Sequence, residues 1–543
     1  MSVTVSFLGG LGEIGRNCAS VEIDGRLALI DCGLMFPAEG MLGVDLVLPD
    51  FTSVKERAAD VDCVILTHGH EDHVGALPYF LSEVPVPVFG TPLAVGLAQP
   101  RLEEAGIPHD LRPVATGEWI EHGAFRFMLV PVSHSIPQGA GVALDTREGL
   151  IVHSGDFKLD PTPIDGVPTD LPEFAALGRQ GVRLLLSDST NAEVDGFVPS
   201  ESSLAQPLYE ITVETKGRLV AACFASHIHR VQQIVDAAVD AGRYVSFMGR
   251  SMVRNVPTAE DLGLLDVPQD SVLPLEELLT LPPEQTAIVC TGSQGEPFAA
   301  VSLMAMGEHK WVTIAKGDTV LISARPIPGN ETRVSRVING LTRLGAKVVH
   351  GNNANVHVSG HAARDELKTF LNVVRPDAFV PVHGEYRHLS AHGALAEQMG
   401  VPEVFVCEDG DAIVLEDGRV RREERAVPGG YVFVDGLEVA GSVKGVIRDR
   451  RHLAEDGVVV VTIAVDWERG EIVQGPDLDG HGYMDDPQSV FDKAAQSVRD
   501  ELASVKWPIE PEALRRRVKG AVNRVSRAET GKRTVVIPVI LEV

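Results

Sequence analysis

The sequence predicts an α/β protein of several domains, and three observations carry that prediction. Apolar runs of strand length recur along the chain, and many end on a histidine or an aspartate. Residues 206–350 alternate between strand-like and helix-like apolar spacing, the rhythm of βαβ units. The 543 residues are 44% apolar and 23% charged, ordinary globular material with length for two to four domains.

The elements follow in order. Residues 1–7 read as a strand and lack the basic start and apolar core of a signal peptide. Val21-Glu22-Ile23-Asp24-Gly25-Arg26-Leu27 is a hairpin signal with Asp-Gly as the turn. Short strands with tight turns continue to about residue 205, then strands and helices alternate. An apolar run at 218–224 precedes Val231, Ile234, Val235 and Ala238 at helical spacing, and strands follow at 244–248, 287–290 and 319–323. Leu367, Phe370, Leu371 and Val374 share one face of a helix over 362–375, and a strand then ends at His383. Pro428-Gly429-Gly430 marks a boundary. Beyond about 455 a strand at 458–465, two helical stretches and a closing strand at 534–541 make a small α+β unit.

Composition excludes some classes. No apolar run approaches the ~20 residues of a membrane helix, so no membrane partner is expected. Six cysteines (18, 32, 63, 223, 290, 407) lie far apart with no C-x-x-C pair, which predicts buried free thiols in a reducing compartment, the cytoplasm. A net charge of −28 taken alone argues against a nucleic-acid partner, but bound metal would offset acidity at a site. Residues 505–533 depart from the average, with nine lysines and arginines against three glutamates. That stretch is either a solvated helix face or a polyanion contact.

Two short motifs mislead. Gly10-Leu11-Gly12-Glu13-Ile14-Gly15 matches a dinucleotide fingerprint, but a strand and not a helix is expected to follow it. Gly292-Ser293-Gln294-Gly295 resembles a nucleophile elbow but lacks its first glycine.

The chemistry lies in Thr67-His68-Gly69-His70-Glu71-Asp72-His73, which follows the apolar run 61–66. Neutral imidazole and carboxylate are the usual ligands of zinc-like metals, and a loop leaving a strand end can aim several at one point. Further ligand types end other apolar runs: Asp31, His134, Asp156, Asp188, His361 and His383. Ligands placed repeatedly at strand ends describe a site along one rim of a sheet scaffold.

His68-x-His70-x-Asp72-His73, with Asp31 before it and His134, Asp156 and His383 after it, resembles the metallo-β-lactamase superfamily. Asp188 (in Ser187-Asp188-Ser189-Thr190), His361 (in His357-Val358-Ser359-Gly360-His361) and His383 (in Pro381-Val382-His383-Gly384-Glu385) resemble motifs A, B and C of its β-CASP nuclease branch. Within that branch the similarity is to the bacterial ribonuclease J family. Residues 9–17, 291–297 and 323–331 add to it. The resemblance runs from residue 3 to about 450 and continues more weakly to the end.

The resemblance implies an αββα metallo-β-lactamase sandwich over 1–205 and 351–430, an inserted β-CASP domain over 206–350, a linker over 431–454 and a C-terminal domain over 455–543 that supports a homodimer or tetramer. It implies 5′-to-3′ exonuclease action on RNA with a 5′-monophosphate, together with endonuclease action, and partners in an RNA-degradation complex. By similarity His68, His70 and His134 hold one metal, Asp72, His73 and His383 a second, and Asp156 bridges both. Zinc and manganese both fit these ligands. Asp31 and Asp188 orient ligands from outside, or are ordinary strand-end carboxylates. His361 contacts the scissile phosphate and assists the leaving 3′-oxygen. His357, Val358, Ser359 and Gly360 lie in the same phosphate-binding stretch. Ser226 opens a helix and forms a 5′-phosphate pocket, or is an N-cap without a ligand. Asp45 and Asp435 match positions of a structural calcium; from the residues alone each reads as a turn residue. Gln138, where the family often has an acidic residue, bears on local hydrogen bonding. Two other functions stay open: a β-CASP DNA-processing nuclease and a catalytically silent RNA-binding scaffold.

Overall fold

The computed structural model describes residues 2–38, 40–327, 329–436, 438–440, 444–482 and 488–543. Pro328 of the 323–331 stretch, and residues 437 and 441–443 of the expected linker, lie outside them. The chain divides into two compact units, Met1–Phe36 with Leu46–Val434, and Pro37–Asp45 with Asp435–Val543.

The first unit contains two large sheets. One has eight strands in the order Arg419–Glu423, Ala412–Glu416, Val3–Gly9, Cys18–Ile23, Arg26–Ile30, Val61–Ile65, Val88–Gly90 and Leu111–Pro113. The other has seven, in the order Glu403–Val404, Ala378–Val382, Val182–Asp188, Gly149–His153, Gly139–Thr146, Phe125–Val132 and Trp119–His122. Alternating side chains of both meet in one core that includes Val5, Val21, Ile30 and Ile65 from the first, and Phe127, Val142, Ile151 and Val380 from the second. Helices cover the outer faces. Helix Pro92–Glu104 brings Ala94, Val95, Ala98 and Leu102 to the first sheet. Helices Leu171–Gln180 and Arg364–Val374 bring Phe174, Leu177, Leu367, Phe370 and Val374 to the second. The layers therefore run α, β, β, α, as expected. Asp24 and Gly25 both have positive φ (54° and 78°), which suits the two-residue turn between paired Ile23 and Arg26.

Between residues 205 and 350 the chain builds a five-stranded parallel sheet in the order Tyr244–Met248, Thr286–Cys290, Leu219–Ala222, Thr319–Ile322 and Lys347–His350. Both faces are covered, which explains its continuous apolar strands. A buried ion pair fixes this layer where the chain enters and leaves it. The guanidinium of Arg230, 0% exposed, donates to both carboxylate oxygens of Glu201 (2.7 and 2.9 Å), to Ser323 and to the Val356 carbonyl. Every polar atom of the guanidinium is matched, the condition under which a buried pair is tolerated. Val356 immediately precedes the His357–His361 stretch, so the pair also fixes where that loop starts.

In the second unit, strand Val458–Asp466 lies between antiparallel Glu471–His481 and parallel Val535–Glu542. Helices Gln488–Ala503 and Pro511–Thr530 pack on one face of this sheet through Phe491, Val498, Leu514, Val518 and Val522. No helix of the described residues is long and apolar enough to cross a membrane. All six cysteines are free and buried.

Candidate metal centre

The loop after strand Val61–Ile65 runs through Thr67 into the short helix Glu71–Val74, with His70 at its N-cap. This turn places His68, His70, Asp72 and His73 at one sheet rim. Glycine is required where chain segments cross it. A Cβ on Gly33 would lie 1.6 Å from the Asp72 carbonyl oxygen, and one on Gly360 would lie 2.8 Å from Cε1 of His134.

Three overlapping clusters result, each with ligand atoms within 4.8 Å of one another: His68, His70, His134; Asp72, His73, Asp156, His383; and Asp156, Asp188, His361, His383. Oδ2 of Asp156 lies 3.2 Å from Nε2 of both His73 and His383, and 3.8 Å from Nε2 of His68 and His134. All seven residues expected to hold metal are thus brought together. So are Asp31, Asp188 and His361.

Hydrogen bonds at the back of each imidazole decide which nitrogen faces the centre. Asp31 accepts from the Thr67 N–H at 2.8 Å, from the Thr67 hydroxyl at 2.9 Å and from Nδ1 of His73 at 2.8 Å. A carboxylate only accepts, so His73 carries its proton on Nδ1. The Thr67 hydroxyl, having donated to Asp31, accepts from Nδ1 of His68 at 3.0 Å. Nδ1 of His134 donates to the Gly360 carbonyl at 2.7 Å. Nδ1 of His383 faces Oδ1 of Asn17 at 2.9 Å. In all four Nε2 turns inward, the nitrogen that metal ligation needs. Nδ1 of His70 meets Nε2 of His68 at 2.9 Å and Nε2 of His134 at 3.3 Å.

The donor set fits a cation. Burial, with neighbouring imidazoles, holds His68 and His70 well below the usual histidine range, and burial with the charge of His361 pushes His134 down to about 3. These rings are neutral, the form that binds metal. Burial also works against charge on His73 and His383, but Asp156 and its neighbouring carboxylates outweigh it and raise both. A metal would displace those protons and compensate the carboxylates itself. Backbone strain concentrates here too: Asp31 and His383 adopt positive φ of 61° and 54°.

Nδ1 of His361 lies 2.8 Å from Oδ2 of Asp188. Burial opposes protonation of His361, but the Asp188 carboxylate outweighs it and raises the ring to about 9. Oγ of Ser359 accepts from Nδ2 of Asn191 at 2.8 Å, and Nδ1 of His357 has no hydrogen-bond partner among the described residues. Val358 is 5% exposed and packs in the apolar core of the inserted layer. Ser226 differs from expectation. The N-cap of helix Ile228–Asp240 is His227, whose ring accepts from the Arg230 N–H, and Ser226 lies in the preceding turn. Both residues can cap, and the imidazole reaches the N–H three positions on. Gln138 accepts from the Leu93 N–H at 2.9 Å at the start of helix Pro92–Glu104.

At the two residues expected to hold calcium, only Asp435 meets an internal cation. Oδ2 of Asp45 accepts from the Gly436 N–H at 2.7 Å, and Asp435 pairs with the Arg450 guanidinium. That guanidinium also donates to the carbonyls of Leu42 and Gly43, at 3.2 and 2.8 Å. The Asp435 carboxylate and these two carbonyls are thus compensated by an internal cation.

Sequence reasoning missed Asn17 as a site residue, although it lies in the 9–17 stretch. Besides His383, its amide nitrogen reaches the Asp72 carbonyl (3.2 Å) and carboxylate (3.4 Å) and lies 3.0 Å from Nε2 of His73. The available signal was its place in the loop after the first strand, at the rim that carries the ligands.

Comparison with known proteins agrees with this geometry. The metallo-β-lactamase superfamily model matches residues 11–189, and that of the ribonuclease J β-CASP domain residues 216–341. The Zn-dependent metallo-hydrolase RNA specificity domain matches residues 346–407, and the ribonuclease J C-terminal domain residues 445–543. Ribonuclease J of Mycobacterium tuberculosis (strain CDC 1551 / Oshkosh) is 42% identical over 99% of this chain and 97% of its own. Ribonuclease J of Thermus thermophilus is 39% identical over 98% and 94%, and ribonuclease J2 of Bacillus subtilis 36% over 100% and 99%. A crystal structure of a protein of unknown function from Enterococcus faecalis V583, 17% identical, covers 76% of this chain and 100% of its own with a TM-score of 0.53, which is a likeness of fold alone. With relatives matched along nearly their whole length and a histidine-carboxylate centre at the sheet rim, the chain belongs to the ribonuclease J family of metal-dependent nucleases.

Proposed function

We propose that this protein hydrolyses RNA phosphodiesters with a two-metal site, stepping 5′ to 3′ from 5′-monophosphate ends and also cutting internally, in RNA maturation and decay. The observation that carries this reading is the shared carboxylate: Asp156 stands between a three-histidine cluster and a second cluster of Asp72, His73 and His383.

In this reading His68, His70 and His134 hold one cation, and Asp72, His73 and His383 the other, with Asp156 common to both and zinc or manganese as the metal. Bound there, two such cations supply Lewis acidity and lower the pKa of water for in-line displacement at phosphorus. Asp31 fixes His73 directly and His68 through Thr67. His361, held protonated near neutral pH by Asp188, gives its proton to the leaving 3′-oxygen. His357, Ser359 and the backbone of Val358 and Gly360 donate to phosphate oxygens. Ser226, in the turn before helix Ile228–Asp240, and that helix's first N–H groups hold the terminal 5′-phosphate. A monophosphate anchored beside the centre accounts for stepwise cleavage.

We assign residues 1–205 and 351–430 to the catalytic domain, 206–350 to the inserted domain, 431–454 to a linker and 455–543 to a C-terminal domain supporting a homodimer. The protein is placed in the cytoplasm, with RNA-degradation proteins as partners.

The test is cleavage of 5′-labelled RNA and DNA of one sequence, with monophosphate or triphosphate ends, in zinc, manganese or chelator. The expected result is metal-dependent release of mononucleotides from monophosphorylated RNA. Preference for DNA would make it a DNA-processing nuclease, and no cleavage with intact RNA binding would make it a scaffold.

A further inference from the structure

We propose that Asn17 is a positioning residue that sets the tautomer of His383 and ties that ring to Asp72. The inference rests on the metal-centre reading above. Oδ1 of Asn17 faces Nδ1 of His383 at 2.9 Å, while its Nδ2 faces the carbonyl and the carboxylate of Asp72 at 3.2 and 3.4 Å. The amide orientation follows from chemistry. Turned over, its oxygen would oppose two oxygens of Asp72, neither of which can donate. With the oxygen toward His383, Nδ1 of that ring must carry the proton. Nε2 is then the nitrogen left for a metal, and it lies 3.2 Å from Asp156.

One amide therefore orients two ligands of the same cluster, from positions 72 and 383. Among the described residues, no carboxylate is hydrogen-bonded to Nδ1 of His383, whereas His73 has Asp31. Asn17 does for His383 what Asp31 does for His73, without adding negative charge beside Asp72.

The arm that carries Asn17 is rigid. Its N–H donates to the Asp72 carbonyl at 2.9 Å, and its own carbonyl accepts from Gly33 N–H at 3.0 Å. The preceding Arg16 is 0% exposed and has a positive φ of 55°. Its guanidinium bonds Glu13 at 2.6 Å, Asp409 at 2.8 Å and the Gly430 carbonyl at 3.0 Å. That anchoring accounts for the strained backbone and holds Asn17 in place.

The experiment titrates zinc alone against a competing fluorescent chelator, using the full chain. The variants are Asn17→Leu, which keeps volume and loses both polar contacts, and Asn17→Asp, which keeps an acceptor opposite Nδ1. Melting of each in chelator checks folding. We expect Asn17→Leu to weaken one of the two zinc sites about ten- to hundredfold, with the other unchanged, and Asn17→Asp to recover part of that loss. Equal affinity in wild type and Asn17→Leu, equal weakening of both sites, or no difference between the two variants would overturn the role of Asn17 alone. Wild-type protein that takes up no zinc would instead contradict the metal-centre reading on which it rests.

Discussion

Two oxygen-rich clusters in this molecule are resolved in opposite ways. At Asp435, with the carbonyls of Leu42 and Gly43, the chain supplies its own cation, the guanidinium of Arg450. At Asp156 the described residues supply no lysine or arginine. Its ion-pair partners are histidines only, from positions 68, 73, 134, 361 and 383. The settings differ as well: the side chains of Asp435 and Arg450 are 46% and 34% exposed, and that of Asp156 is 3% exposed. An exposed carboxylate needs little compensation, and one arginine suffices. A buried one is met by imidazoles alone: its charge raises His73 and His383, while His68 and His134 stay neutral donors that a metal can use. The comparison separates an oxygen cluster that the chain compensates itself from one whose donors fit an external ion.

The largest expected effect strikes the buried cluster. Asp156→Ala removes the carboxylate that the proposed function shares between two cations, so both should be lost. Kinetics on monophosphorylated RNA should show kcat/KM falling by roughly 10³-fold or more, the several kcal/mol a metal contributes to transition-state stabilisation. Retention of activity by this variant would break the comparison.

Asp31→Ala comes next. It frees the proton-bearing nitrogen of His73 and, through Thr67, loosens His68. Zinc affinity measured by chelator competition should fall about ten- to hundredfold in both sites.

A smaller effect depends on pH. Asp188 raises His361 above its unfolded value, to about 9. A raised folded pKa stabilises the fold fully below the unfolded value near 6.5, and the contribution disappears as pH climbs through about 9. In chelator, urea unfolding should therefore show Asp188→Asn more destabilised relative to wild type at pH 6 than at pH 9.5. The same difference at both would exclude this pairing.

The smallest effect sharpens the other side of the comparison. Arg450→Ala should cost about 1 kcal/mol or less, given its exposure. Calcium should leave the wild-type melting temperature unchanged and raise that of the variant, because only there are the oxygens free.

Much of this was legible in the sequence, for a physical reason. Side chains at strand ends project from one rim, so His68, His70, His73, His134, Asp156 and His383 could be read as converging before any coordinates existed. The parallel layer was legible because strands buried on both faces are continuously apolar. What stayed hidden depended on which distant atoms meet. Asn17 acts on residues 55 and 366 positions away, and nothing in its own neighbourhood reveals that. Arg450 lies about 407 positions from the carbonyls it satisfies, so the calcium expectation could not include it. Ser226 and His227 are adjacent and both able to cap; only the backbone decides between them.

The most direct measurement is the metal content of the purified full chain, read together with RNA cleavage before and after chelation. The account predicts two equivalents of zinc or manganese per chain, cleavage abolished when they are stripped, and recovery when either metal is returned. A chain that carries no transition metal and still degrades monophosphorylated RNA in chelator would contradict it.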